Sequence, residues 1–162
     1  MFKLPKTISE AEFLAGLDKV KKTHHKLAFL LGFYQCMRVS EIVNLQPENI
    51  DRSRGFIHIK SGKGNKDRDI PIVDPMRRYL TGVDLPLKCR TTRALEIAIK
   101  KYWSGIHFHT LRHSGATFYL NVKKVGLRQI QQMLGHSRLD TTQLYLHINP
   151  NDLKEAFKEA WR

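Results

Sequence analysis

The chain is poor in acid. Its 15 aspartates and glutamates face 28 lysines and arginines, which leaves a net charge of +13. Such a surplus draws a phosphate backbone and excludes a polycationic partner. Cysteine is scarcer still: Cys36 and Cys89 are the only two, too few for a disulfide framework. No apolar run approaches the roughly 18 residues of a membrane span. The most apolar stretch, Leu27 to Met37, reads as a buried helix. The opening Met1-Phe2-Lys3-Leu4-Pro5-Lys6 offers neither the apolar core nor the cleavage site of a secretory signal. A cytoplasmic protein without membrane contact is therefore expected.

Several kinds of chemistry are missing too. There is no P-loop, Rossmann glycine fingerprint, His-Glu-x-x-His or Cys-x-x-Cys. His107, His109 and His113 have a ligand-like spacing, but Arg112 shares a helix face with His109, and a guanidinium there repels a dication. No carboxylate pair near the basic motifs suggests a Mg²⁺-dependent nuclease. Neither a metal nor a cofactor is expected.

What is present suits one folded domain. The hydrophobic fraction is 41%, and a chain of this length can bury roughly 70% of its unfolded surface. Ser9-Glu10-Ala11-Glu12 is a capping box, followed by Phe13, Leu14, Leu17 and Val20 at helical spacing, which predicts a helix over 10–21. Ser40 is the expected cap of a short helix after Arg38. The period then changes to two: Phe56, Ile57 and Ile59 form one strand and 69–72 its partner. Ser61-Gly62-Lys63-Gly64-Asn65-Lys66-Asp67 is the turn between them, and 49–52 a possible third strand. Helices are predicted at 74–80, 92–103, 110–122, 127–134 and 138–146, with Gly135 ending the fourth of these. A last helix opens at Asn149-Pro150, and Leu153, Ala156, Phe157, Ala160 and Trp161 form its apolar stripe. That stripe suits either packing on its own domain or docking on a neighbouring protomer. The predicted class is α+β, mostly α-helical with a small antiparallel β-sheet.

Phosphate-handling residues recur in separate segments. Arg38 opens a short helix, and Lys63 sits in the glycine turn. His109 and Arg112 begin another helix, whose N–H groups add anion affinity. His136 follows Gly135, and Tyr145 lies further on. Each alone has an ordinary structural reading as solvated surface, turn chemistry or core.

Taken in order, these segments resemble the tyrosine recombinase family, the phage-integrase and Xer-type enzymes. The stretches that carry the resemblance are Arg38-Val39-Ser40-Glu41-Ile42, 62–72, His109-Thr110-Leu111-Arg112-His113-Ser114, Leu134-Gly135-His136-Ser137 and 141–147. Leu4 to Glu10 also looks like the start of that family's catalytic domain, so the likeness covers nearly the whole chain.

The resemblance implies a site-specific recombinase catalytic domain that cuts and rejoins DNA through a 3′-phosphotyrosyl intermediate. It places Arg38 and Arg112 on the scissile phosphate and makes Lys63 the general acid for the 5′-hydroxyl. It also gives His109 a role in proton transfer, places His136 on the phosphate and makes Tyr145 the nucleophile. Physical chemistry agrees: a phenol of pKa about 10 becomes a competent nucleophile when cations favour its oxyanion. Glu41 either orients Arg38 or simply suits a helix start. Lys60, Lys66 and Arg68 are DNA-backbone candidates.

The implied partner is a double-stranded recombination site, bound by a homo-tetramer with the C-terminal helix as a candidate contact. The implied organisation is a single catalytic domain over residues 1–162, without the family's N-terminal core-binding domain. One departure stands out: Gln35-Cys36 replaces the family's usual Thr-Gly before the Leu-Arg step, here Met37-Arg38. A non-catalytic DNA-binding module and a type IB topoisomerase are the alternative functions.

Overall fold

A computed structural model describes residues 6–60, 67–81, 85, 87, 88, 91–135 and 150–161. Helix α1, Glu10–Leu17, starts as the sequence predicts. The Ser9 backbone N–H donates to Glu12 Oε2 at 2.7 Å, and Glu12 N–H donates back to Ser9 Oγ at 3.2 Å. It stops at Leu17 rather than 21, because the chain tightens there into short turns, with Val20 N–H on the Leu17 carbonyl.

Helix α2, Thr23–Tyr34, is the axis of the domain. Every residue from Leu27 to Tyr34 is buried, as expected of a segment apolar on all sides. Phe13 of α1 stacks on Phe33 with ring centroids 4.3 Å apart, and Trp103 stacks on the other side of Phe13 at 5.6 Å. Trp103 Nε1–H, buried by this packing, donates to the Glu12 carbonyl at 3.2 Å.

Helix α3, Val39–Val43, and a single 3₁₀ turn, Pro47–Asn49, lead into a three-stranded antiparallel sheet in the order β1-β2-β3. The strands are β1, Ile50–Asp51, β2, Phe56–Ile59, and β3, Arg68–Pro71. Ile57 pairs with Ile70, His58 with Asp69 and Ile59 with Arg68. The period of two buries Ile57 and Ile59 on one face and places His58 and Lys60 on the other, where Phe56 is also buried.

Four helices follow: α4, Asp74–Leu80, α5, Thr92–Lys100, α6, Phe108–Asn121, and α7, Leu127–Leu134. The first and last match the predicted bounds. Helix α5 ends three residues early, with 101–103 continuing as turns, and α6 begins two residues early. Helix α6 lies against α2 closely enough that Gly115 has no room for a side chain: a Cβ there would land on the Phe33 carbonyl oxygen.

The last helix, α8, Pro150–Glu159, packs on the domain that carries it. Leu153 and Phe157 are buried; the Phe157 ring meets Tyr119 edge-on at 4.6 Å, and Trp161 lies against Tyr34 and Phe118. The apolar stripe is thus satisfied in cis. The predicted helix over 138–146 lies outside the described residues. No helix among the described residues is long and apolar enough to cross a membrane.

Candidate functional site

The site grows from the end of α2. Beyond Tyr34 the chain turns through Cys36, whose φ of 49° is left-handed and unusual for a residue with a side chain. That turn explains why a glycine suits this position. It also aims the Cys36 carbonyl at Arg112 of α6, whose Nη1 donates to it at 2.7 Å. Burial pushes the Cys36 thiol up to about 12, against the opposing pull of Arg112 and Arg68, so it stays protonated.

Arg38 follows as the N-cap of α3. The expected cap, Ser40, lies instead inside the helix and is exposed. The capping is done by Glu41, whose Oε2 accepts from the Arg38 backbone N–H at 2.8 Å while Oε1 accepts from Arg38 Nη1 at 3.1 Å. Glu41 thus completes the helix start and pairs with the Arg38 side chain.

Glu41 is also where separate parts of the chain converge. Arg68 of β3 donates to Oε1 from Nη1 at 2.8 Å and to Oε2 from Nη2 at 3.0 Å, a bidentate pair with both side chains only 9% exposed. Arg112 Nη1 stands 4.0 Å from Oε2. Burial alone would raise the Glu41 carboxyl, but the hydrogen bonds and charge of Arg68, the Arg38 N–H and the charge of Arg112 hold it below the usual carboxylate range. One carboxylate thus gathers three guanidiniums.

The end of α7 is stitched to the same cluster. The last carbonyls of a helix lack partners within it. Here the Met133 carbonyl accepts from Arg68 Nε at 3.0 Å and the Leu134 carbonyl from Arg112 Nη2 at 2.6 Å. Gly135 closes the helix at φ 65°, and a Cβ on it would press on the Arg68 side chain. Arg112 is 3% exposed, and burial, then the like charge of Arg38, lowers it to about 10. It remains a cation at neutral pH, and two carbonyl bonds do not exhaust its five donors.

His109 lies one turn before Arg112 and is exposed. Its ring meets His113 edge-on at 4.3 Å. Partial desolvation of the ring, then the positive charges of His113, Arg112 and Arg38, lower it from 6.5, so the neutral imidazole predominates at neutral pH. The start of α6 is less open to an anion than the sequence suggests, because Phe108 N–H already donates to the Glu96 carboxylate at 3.2 Å.

Of the predicted site residues, Arg38, Glu41 and Arg112 are brought into one cluster, and His109 flanks it. Lys60 is exposed beside it. Arg68, expected on the DNA backbone, is instead turned inward with its donors on Glu41 and Met133. Lys63, Lys66, His136 and Tyr145 lie outside the described residues. Sequence reasoning missed His58, which with Arg38, Asn44, Gln46, Asn49 and Lys60 lines a groove of about 380 Å³ against α3. The ring is anchored by Asp69 Oδ1, 2.6 Å from Nδ1. The alternation that places His58 and Lys60 on one face of β2 was the signal for it.

Known proteins resemble the chain in sequence and in fold. The phage integrase family profile matches residues 7–83 and 88–152. Tyrosine recombinase XerA of Pyrococcus furiosus is 34% identical over 179 aligned residues, covering 97% of this chain and 62% of that protein. Tyrosine recombinase XerD of Staphylococcus aureus is 31% identical, covering 97% and 63%. This chain therefore spans less than two thirds of the length of these relatives. The crystal structure of XerA recombinase superposes with a TM-score of 0.73 at 26% identity, over 98% of this chain and 66% of that one. The lambda integrase catalytic core superposes at 0.63 and 17% identity, over 85% and 95%, a likeness of fold alone. With its cluster of guanidiniums, its mostly helical fold and its small sheet, the chain belongs to the phage integrase family.

Proposed function

We propose that this chain is the catalytic part of a tyrosine-type site-specific recombinase, which cuts and rejoins double-stranded DNA. The observation that carries the reading is the convergence of Arg38 and Arg112, from distant parts of the chain, on the shared carboxylate of Glu41. Neutral side chains would cost less stability there, because placing the buried guanidinium of Arg112 near the partly exposed one of Arg38 is unfavourable unless they serve an anion.

In this reading the two guanidiniums hold the non-bridging oxygens of one phosphate and offset the charge that grows on them as the phosphorus becomes pentacoordinate. Tyr145 supplies the nucleophile. Its phenolic oxygen bonds to phosphorus and the bond from phosphorus to the 5′-oxygen breaks, leaving a 3′-phosphotyrosyl linkage. The departing 5′-oxygen takes a proton from Lys63, and His109, neutral at neutral pH, accepts the phenol's proton. His136 adds a further contact to the phosphate. A phosphodiester is exchanged for another of similar energy, so a second 5′-hydroxyl reverses the step without ATP or a metal.

Lys60 and Lys66 are proposed contacts to the DNA backbone, and Arg68 no longer is. Four protomers on paired sites would complete strand exchange in the cytoplasm. A lambda integrase tetramer bound to a Holliday junction has this fold, with a TM-score of 0.63.

The test is a randomised pool of nicked duplexes, whose short 5′-hydroxyl fragment diffuses away after cleavage, incubated with the protein in excess chelator. A covalent adduct that survives denaturing electrophoresis is expected with the wild type and not with Tyr145→Phe. Failure of the wild type to form one, or its formation by Tyr145→Phe, contradicts the proposal.

A further inference from the structure

Arg68 has what a DNA-contacting cation lacks. Its side chain is 9% exposed, and its guanidinium donates to both oxygens of Glu41 and to the Met133 carbonyl. A carboxylate offers about four acceptor positions. Arg68 fills two, and the Arg38 backbone N–H and Nη1 take the others. Arg112 stands at the edge of ion-pair range, 4.0 Å away. Without Arg68, Glu41 would be a largely buried charge short of partners, and the nearest replacement cations are Arg38 and Arg112. Arg38, which now meets Glu41 through Nη1 alone among its side-chain donors, and Arg112, now 4.0 Å away, would be drawn further onto Glu41, and their charge and donors would be lost to a phosphate.

We propose that Arg68 is a positioning residue for strand cleavage: by saturating Glu41 it limits Arg38 to one side-chain bond there and keeps Arg112 off the carboxylate, so that the remaining donors of both are available to the scissile phosphate. Its bond to Met133 fixes the end of α7 against the same carboxylate, so one guanidinium sets the sheet, α3 and α7 in register around the site. This rests on the recombinase reading above, and it assigns Arg68 to the chemistry rather than to DNA affinity.

The test uses a nicked duplex recovered from the randomised pool, with two quantities measured on it: Kd, and the single-turnover rate of adduct formation at saturating protein. Arg68→Met is expected to slow the saturated rate about 100-fold with Kd within about 3-fold. Arg68→Lys, whose ammonium still neutralises Glu41 but cannot fork, is expected to recover about ten-fold of that loss. The double variant Glu41→Gln with Arg68→Met removes the carboxylate that would capture the other arginines. It is expected to cleave about ten-fold faster than Arg68→Met alone.

A double variant as slow as Arg68→Met, or slower, overturns the proposal in favour of packing alone. So does an Arg68→Met protein that cleaves at the wild-type rate when saturated but binds DNA more weakly, with a salt slope reduced by about one, since that marks a backbone contact. If Arg68→Met does not fold, Arg68→Lys carries the test. It should cleave about ten-fold slower than wild type at unchanged Kd, and a wild-type rate overturns the proposal. A wild type that forms no adduct sinks the recombinase reading and this inference with it. An active wild type matched by Arg68→Met sinks this inference alone.

Discussion

Cys36 shows how one residue's backbone serves another residue's side chain. Its left-handed φ of 49° aims a carbonyl at Arg112, at a conformational cost of about 1–2 kcal/mol for a residue with a Cβ. Cys36→Gly should relieve that cost while losing the buried thiol, leaving stability within about 1 kcal/mol of wild type. Cys36→Val, β-branched at the same φ, should lower stability by about 2 kcal/mol or more, measured by urea unfolding. Equal stabilities would contradict a strained turn. His109 makes a second prediction at this scale. In the proposed mechanism its neutral form accepts the proton, and partial desolvation plus neighbouring cations lower its pKa from 6.5. Protonation therefore sets in only at lower pH than for a free imidazole, so the acid limb of the cleavage rate should lie below pH 6.5 and vanish in His109→Gln. A limb centred above that value would rule His109 out as the proton acceptor. That Arg38, Glu41 and Arg112 belong together was legible from short motifs in a fixed order, and the fold does bring them into one cluster. Arg68 was misread, because a charge in a sequence does not show whether its side chain faces water or a carboxylate. The strain at Cys36 was visible only as a departure from the family's glycine.

At the level of elements, the contact between α2 and α6 controls the site. Gly115 allows α6 to touch the backbone at Phe33, and this closeness lets Arg112 reach the Cys36 carbonyl. Gly115→Ala would force the two helices apart and should cost about 1–3 kcal/mol through overpacking. Cleavage at saturating DNA should fall with it even at temperatures where the variant is fully folded. A folded Gly115→Ala protein with unaltered cleavage would show that the helix contact does not place Arg112. Element bounds were legible where local chemistry punctuates the chain, as with Asp74-Pro75 at the start of α4 and Gly135 at the end of α7. They were overshot at α1 and α5, where apolar residues keep helical spacing through short turns that periodicity cannot tell from helix. The arginine caps on the α7 carbonyls were invisible, since they join residues far apart in sequence.

For the molecule as a whole, α8 and the charge matter most. The C-terminal stripe fitted two seats in the sequence, and the structure fills the one in cis, with Phe157 buried and Lys123 Nζ 3.7 Å over the Trp161 ring. Phe157→Ala should therefore destabilise the isolated chain by about 3–5 kcal/mol, seen as a lower Tm independent of protein concentration. A concentration-dependent Tm would instead place the helix on a second copy. The net charge of +13 predicts DNA binding that weakens steeply with salt, with log K falling against log salt by about 0.9 for each phosphate neutralised. A flat salt response would mean that the cations serve something other than a phosphate backbone. The most direct measurement is the chemical identity of the covalent adduct. After nuclease and protease digestion, mass spectrometry should find a nucleotide joined through its 3′-phosphate to the peptide containing Tyr145. A nucleotide on any other residue, or one joined through a 5′-phosphate, would contradict the proposed chemistry.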